Sequence, residues 1–232
     1  MQTGLLSRFD ISEERVRALV ADALAKSDDG ELFAEYREAE TLVFDNGRLK
    51  TGSFNTASGF GLRAVAGEAV GYAESDSFSE AALLRASSAV GAVTAGHSGT
   101  YSDAPPRTNA KLYGDDNPIG EPSFEAKVKL LEKIDAYLRG KDDRVRQVSV
   151  SLAASWQMIE ILRADGHFAQ DIRPLVRVNV SVIVGDGDRQ ETGSHGMGGR
   201  QSFGDFIATE SWQAAAEDAL RTSGAPSGEE AG

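Results

Sequence analysis

The sequence predicts an α+β fold: mainly antiparallel sheets built from hairpins, with helices packed on them. Three observations carry this. Apolar residues recur at helical spacing in four separate segments, each opened or closed by capping or glycine residues. Strand-like alternation falls in two blocks, roughly 32–73 and 144–191, punctuated by short turn signals. Helices do not alternate regularly with strands, as they would in βαβ units with a parallel sheet.

The elements follow in order. Ser12 caps a first helix, with Glu13 and Glu14 at its positive end and Val16, Leu19, Val20, Ala23 and Leu24 forming one apolar stripe. Asp28-Asp29-Gly30 ends it. Strands are expected at 32–44, 48–54, 59–65 and 69–73, the first pair joined by Asn46-Gly47, residues that tolerate the positive φ of a type I′ turn. Ser77-Phe78-Ser79-Glu80 fits a capping box ahead of a helix from Ala81 to about Val93. Gly96 to Pro122 is poor in apolar residues and reads as a long functional or mobile loop. Ser123 opens a third helix with Phe124, Val128, Leu131, Ile134 and Leu138 on one face, stopped by Gly140. β-branched runs then fill 144–191, broken by turns at Ala164-Asp165-Gly166 and Gly185-Asp186-Gly187. A glycine-rich loop, Gly193–Arg200, precedes a last helix of about Phe206 to Arg221, and 223–232 reads as a disordered tail. Residues 1–222 are expected to form one domain, with sub-blocks 1–100 and 123–222 joined by the loop 96–122.

Composition narrows the function. The 232 residues contain no cysteine, which excludes disulfides, thiolate clusters and a thiol nucleophile. The three histidines, His97, His167 and His195, are scattered, and no two are spaced to share a helix face. With 36 acidic against 24 basic residues the net charge is −12, which argues against direct nucleic-acid or anionic-membrane binding. No apolar run is long enough to span a membrane and no signal peptide is recognisable, so the expected compartment is the cytoplasm.

Candidate sites are few. The amides of Gly193–Arg200 can cradle an anion with help from Arg200, or serve as a plain flexible connector; Walker and dinucleotide spacings are both absent. Gly96-His97-Ser98-Gly99 misses the nucleophile-elbow spacing by one residue and leaves a helix instead of joining strand to helix. His167, just past Asp165-Gly166, reads as a turn residue. Arg173 and Arg177, four apart on a strand, share a face and can clamp a carboxylate; the alternative is a solvated face paired with nearby acids. Arg173, Arg177, His195 and Arg200 are thus the candidate peptide-binding residues, with no catalytic and no metal-binding residue assigned. From the residues alone the reading is a binding or substrate-presenting domain, one that captures an extended peptide on a sheet edge.

Two segments carry a resemblance. Phe44–Asn55 with Gly59–Val65 and Gly71-Tyr72-Ala73, and then Asp165-Gly166, Asp171–Arg177 and Gly196–Arg200, resemble in order and spacing the TldD/PmbA (modulator of DNA gyrase) metallopeptidase family, nearer its TldD branch. The similarity covers about Phe9 to Arg221. It implies a bacterial cytoplasmic peptidase in which TldD-like and PmbA-like (TldE) chains assemble and degrade unfolded or leader-bearing peptides. It also implies zinc held in a C-terminal domain by an H-E-x-x-x-H helix and a later cysteine, with the Glu as general base. Neither motif occurs in these 232 residues. The expectation is therefore an N-terminal, substrate-side and assembly domain without its own cofactor, inactive alone, which assembles with a PmbA/TldE-like chain or with itself and binds peptide substrate. The alternative is a stand-alone regulatory module of the gyrase-modulator type.

Overall fold

A computed structural model describes residues 4–97, 99 and 111–224, apart from the side chain of residue 186. Ser98 and residues 100–110 of the expected loop, with the proline pair Pro105-Pro106, and the tail from 225 onward lie outside the described residues. The element order is α1 (Glu13–Leu24), β1 (Asp29–Asp45), β2 (Arg48–Ala66), β3 (Ala69–Ser75), α2 (Glu80–Val93), α3 (Phe124–Lys141), β4 (Val145–Arg163), β5 (Phe168–Asp186), β6 (Arg189–Gly199), α4 (Gly204–Ile207) and α5 (Thr209–Thr222). The strands form one six-stranded antiparallel sheet in the order β3-β2-β1-β4-β5-β6, so the α+β expectation holds.

Local signals explain most element ends. Ser12, Ser79 and Ser123 each accept a hydrogen bond from the amide three residues on, capping α1, α2 and α3. The β1–β2 turn is built on Asn46 and Gly47 at φ of 49° and 79°, the left-handed pair a type I′ hairpin needs.

Several boundaries differ from the expectation. The expected Ser77–Glu80 capping box does not form: Phe78 joins a ring cluster with Phe9 and Phe60, at centroid separations of 5.1 and 6.2 Å, and Ser79 alone caps α2, with Ala82 at the third helical position. The expected break at residues 55–58 is absent, and β2 runs for 19 residues. Exposure of both faces erased the alternation there, whereas strand pairing depends on backbone hydrogen bonds alone. α3 continues through Gly140 to Lys141. The glycine-rich loop is strand β6, paired with β5 from Val176↔Gly199 to Asp186↔Arg189. The final helix is split by Ala208, whose ψ of 144° is extended. Ser223 belongs to the end of α5 and not to the tail, since its buried hydroxyl donates to the Leu220 carbonyl at 2.6 Å.

Contacts divide the chain into two interleaved units, which differ from the sequential sub-blocks. One comprises 1–37, 56–112 and 157–172, the other 38–55, 113–156 and 173–232. In the first, α1 packs on α2 and α2 on β3. Val16, Val20, Leu32, Leu62, Leu83 and Val90 are buried there, each worth about 1.5–3 kcal/mol. Buried Glu160 accepts from the Leu6 amide at 2.9 Å and from the Gln170 side chain at 2.8 Å, so its charge is met by donors.

In the second unit, α3 and α5 meet, and α5 lies on β6. Leu131, Ile134 and Leu138 pack with Val148, Val150, Val178 and Val180, and Tyr137 meets Trp212 edge-on at 5.3 Å. Lys127, only 1% exposed, pairs with Glu40, donates to the Ile119 carbonyl at 2.7 Å and lies 5.5 Å from the Phe203 ring. No helix among the described residues is long and apolar enough to cross a membrane.

Candidate functional site

The period of a strand puts Arg173, Leu175 and Arg177 on one face of β5 and buried Val176, Val178 and Val180 on the other. The expected shared face for the two arginines is therefore present. Arg177 donates to Asn179 Oδ1 at 2.9 Å, and Asn179 in turn donates to Ser151 Oγ at 3.2 Å. His195 pairs across the strands with Val180, which puts it on the buried side. Its Nδ1 lies 3.3 Å from Asp218 of α5. The Arg200 guanidinium sits 5.4 Å above the Tyr113 ring. Arg173 and Arg177 thus share a face, while His195 faces the opposite way and Arg200 stacks on an aromatic ring.

The remaining histidines are engaged separately. His97 Nε2 lies 2.9 Å from Asp28 Oδ2, which also accepts from the Gly67 amide at 2.7 Å. The His167 amide donates to Asp165 at 2.9 Å, consistent with its reading as a turn residue. Among the described residues no group of three or more His, Asp or Glu side chains converges to hold a metal.

The second unit does offer a strand edge. β6 ends the sheet, and the last turn of α5 closes against it at Gly193 and Ser194. The Ser194 amide donates to Thr222 Oγ1 at 3.1 Å, and that hydroxyl donates to the Ala219 carbonyl at 3.0 Å. Glycine is required beside it: a Cβ at Gly193 would stand 1.9 Å from the Ala219 oxygen and 2.5 Å from the Ser223 nitrogen. Because the Ser194 amide points away from β5, the alternation of an antiparallel ladder turns Gly196 and Gly198 outward as well. Among the described residues neither has a cap like Thr222.

A concavity of about 340 Å³ lies near the same helix end. Its two guanidiniums are already paired: Arg144 with Asp142 at 2.7 Å and Arg189 with Glu191 at 2.7 Å. The Arg144 hydrogen bonds hold the Asp142 carboxyl below its usual range.

The first unit contains a larger groove of about 580 Å³ over β1, β2 and β3, which was not apparent from the sequence. Glu74 stands opposite Gly61 and Tyr72 opposite Arg63. These positions share one face, but only the strand register brings them together.

Comparisons with known proteins agree with one another. Residues 30–93 match the family model described as PmbA/TldA metallopeptidase domain 1, and residues 117–225 match the PmbA/TldA metallopeptidase central domain. A Metalloprotease TldD homolog of Haemophilus influenzae is 34% identical over 200 residues, which is 84% of this chain and 39% of that protein. Across the curated relatives it matches, the chain spans 39–43% of their length. Among solved structures, TldE from Thermococcus kodakarensis superposes with a TM-score of 0.71 at 14% identity, over 90% of this chain and 46% of that one. A candidate modulator of a DNA gyrase from Thermotoga maritima gives 0.70 at 15%, over 90% and 47%. The likeness to these two structures concerns the fold. With domain 1 and the central domain matched in order over most of its length, the chain belongs to the PmbA/TldD family.

Proposed function

We propose that this chain is the substrate-side and assembly portion of a TldD-type metallopeptidase that acts in the cytoplasm on unfolded or leader-bearing peptides. In this reading the zinc chemistry belongs to a region carrying the H-E-x-x-x-H motif and cysteine, and a PmbA/TldE-like chain completes the assembly. The observation that carries the substrate-side role is the outward-facing edge of β6. Gly196 and Gly198 present main-chain donors and acceptors without side chains in the way, as strand addition by an extended peptide requires. Such pairing reads the backbone and not the side chains, which suits a substrate defined by being unfolded. Arg177, opposite Gly198, stands beside this edge and shares a face of β5 with Arg173; in this reading the two hold a carboxylate of the peptide. Family membership and the TldD name of the curated relatives support the peptidase assignment.

Hydrogen exchange tests this role. Saturating amounts of an unfolded polypeptide should slow exchange at the Gly196 and Gly198 amides and leave Ser194, whose amide is already bonded to Thr222, unchanged. Unchanged exchange at both glycines, with the polypeptide demonstrably bound, would overturn the edge assignment. Zinc-dependent hydrolysis by the 232-residue chain alone would overturn the substrate-side assignment.

A further inference from the structure

We propose that the groove over β1, β2 and β3 binds the cationic side chain, arginine or lysine, of a basic extended peptide. This site is separate from the β6 edge and does not depend on the peptidase assignment.

The groove is made by register and by small residues. Gly59 and Gly61 form its floor on β2, with Phe33 and Glu35 from β1 on one side and Tyr72 and Glu74 from β3 on the other. A Cβ at Gly61 would lie 2.7 Å from the Tyr72 hydroxyl and 3.0 Å from its ring, so glycine lets the ring lie across the strand. Tyr72 remains 62% exposed, and its hydroxyl donates to Glu74 at 3.2 Å. Partial burial first, and then the Glu74 carboxylate, hold that hydroxyl protonated to higher pH than usual.

The charges in the groove have one sign. Glu35, Glu74 and Asp76 line it, and no lysine, arginine or histidine does. Among the described residues none of the three forms an ion pair. Glu35 accepts only a neutral bond, from Gln157 at 3.0 Å. The neighbouring Arg63 is committed elsewhere, 3.5 Å from Asp29 and 3.9 Å from Glu31.

Charge complementarity selects the occupant. An anionic side chain is repelled by three carboxylates, and an apolar one would strip their water without replacing it. A guanidinium or ammonium ion gains on both counts, meeting the carboxylates and the faces of Tyr72 and Phe33 together. The peptide main chain need only run beside β3, the other edge of the sheet.

The test uses the 232-residue chain and three labelled nine-residue Ala/Ser peptides with a central arginine, citrulline or glutamate. Citrulline keeps the shape of arginine and removes its charge. The arginine peptide should bind roughly tenfold more tightly than the citrulline one, and the glutamate peptide more weakly still. Binding should weaken several-fold between about 50 and about 300 mM salt. Glu35→Gln with Glu74→Gln should remove the preference for arginine while leaving the thermal melt in place. Glu132→Gln with Glu210→Gln, the same charge change on exposed helix positions, should preserve it. Equal binding of arginine and citrulline, absence of binding, or equal loss in both double variants would overturn the proposal.

Discussion

Replacing Lys127 with methionine probes the core of the second unit most directly. The ammonium is 1% exposed and its partner Glu40 14%, so the pair lies largely out of water. Methionine fills the volume of the lysine stem but supplies no donor. The Glu40 carboxylate then loses its counter-ion, and the Ile119 carbonyl loses a donor at 2.7 Å. Breaking one side of a buried ion pair costs about 3–5 kcal/mol, and the same range applies here because solvent reaches little of either group. Glu40→Gln in the methionine background removes the stranded charge and should restore a large part of that loss, giving a coupling of at least about 1.5 kcal/mol. Urea unfolding followed by tryptophan fluorescence is the assay, since Trp156 and Trp212 both lie in this unit. The reasoning is refuted if Lys127→Met unfolds within about 0.5 kcal/mol of the parent chain, the range of ordinary surface changes.

Three further outcomes follow from the geometry. Gly193→Ala forces a Cβ onto main-chain atoms of α5 and should cost about 1–3 kcal/mol. Gly91→Ala, in the interior of α2 with nothing within 4 Å, should instead stabilise by about 0.5–1 kcal/mol; thermal melts of the two variants should shift in opposite directions. Asn46→Ala removes the short polar side chain that lets asparagine tolerate φ 49° and loses the bond from Arg139 at 2.7 Å, at a cost of about 1–2 kcal/mol; Asn46→Gly should recover the conformational part in denaturant titrations. Hydrogen bonds from Lys141 first, and then Tyr137, hold the Glu217 carboxyl below its usual range. Its stabilisation is therefore present above the ordinary carboxylate pKa and is lost as pH falls through the depressed value. The melting difference between the parent chain and Glu217→Gln should be small, because the pair is exposed, and should shrink toward zero on acidification.

What could be read from the sequence was local. The Ser12 and Ser123 caps and the Asn46-Gly47 turn depend on side chains a few residues apart, and the structure keeps them, while the cap of α2 moves from Ser77 to Ser79. The β6 strand was hidden because Gly193, Gly196, Gly198 and Gly199 carry no side chains to alternate; only pairing with β5 and the close approach of α5 define it. Residues 55–58 were hidden for a related reason, since a strand exposed on both faces has no hydrophobic period. The long strands that result contribute residues to both compact units, and no linear division of the chain anticipates that.

The same distinction applies to the candidate sites. Arg173 and Arg177 were placed on one face by the period of a strand. That His195 faces the other way follows from its pairing with Val180, a register that the sequence does not encode locally. The acidic groove brings together Phe33, Glu35, Tyr72 and Glu74 from strands about 40 residues apart in sequence, so no motif search could have assembled it.

The central claim is that this chain handles peptide without performing the metal chemistry. The most direct measurement combines metal analysis of the purified 232-residue chain, after incubation with zinc and desalting, with hydrolysis of an unfolded polypeptide in the same sample. The account predicts peptide binding with no stoichiometric zinc and no cleavage. Retention of one zinc per chain together with cleavage abolished by a chelator would contradict it.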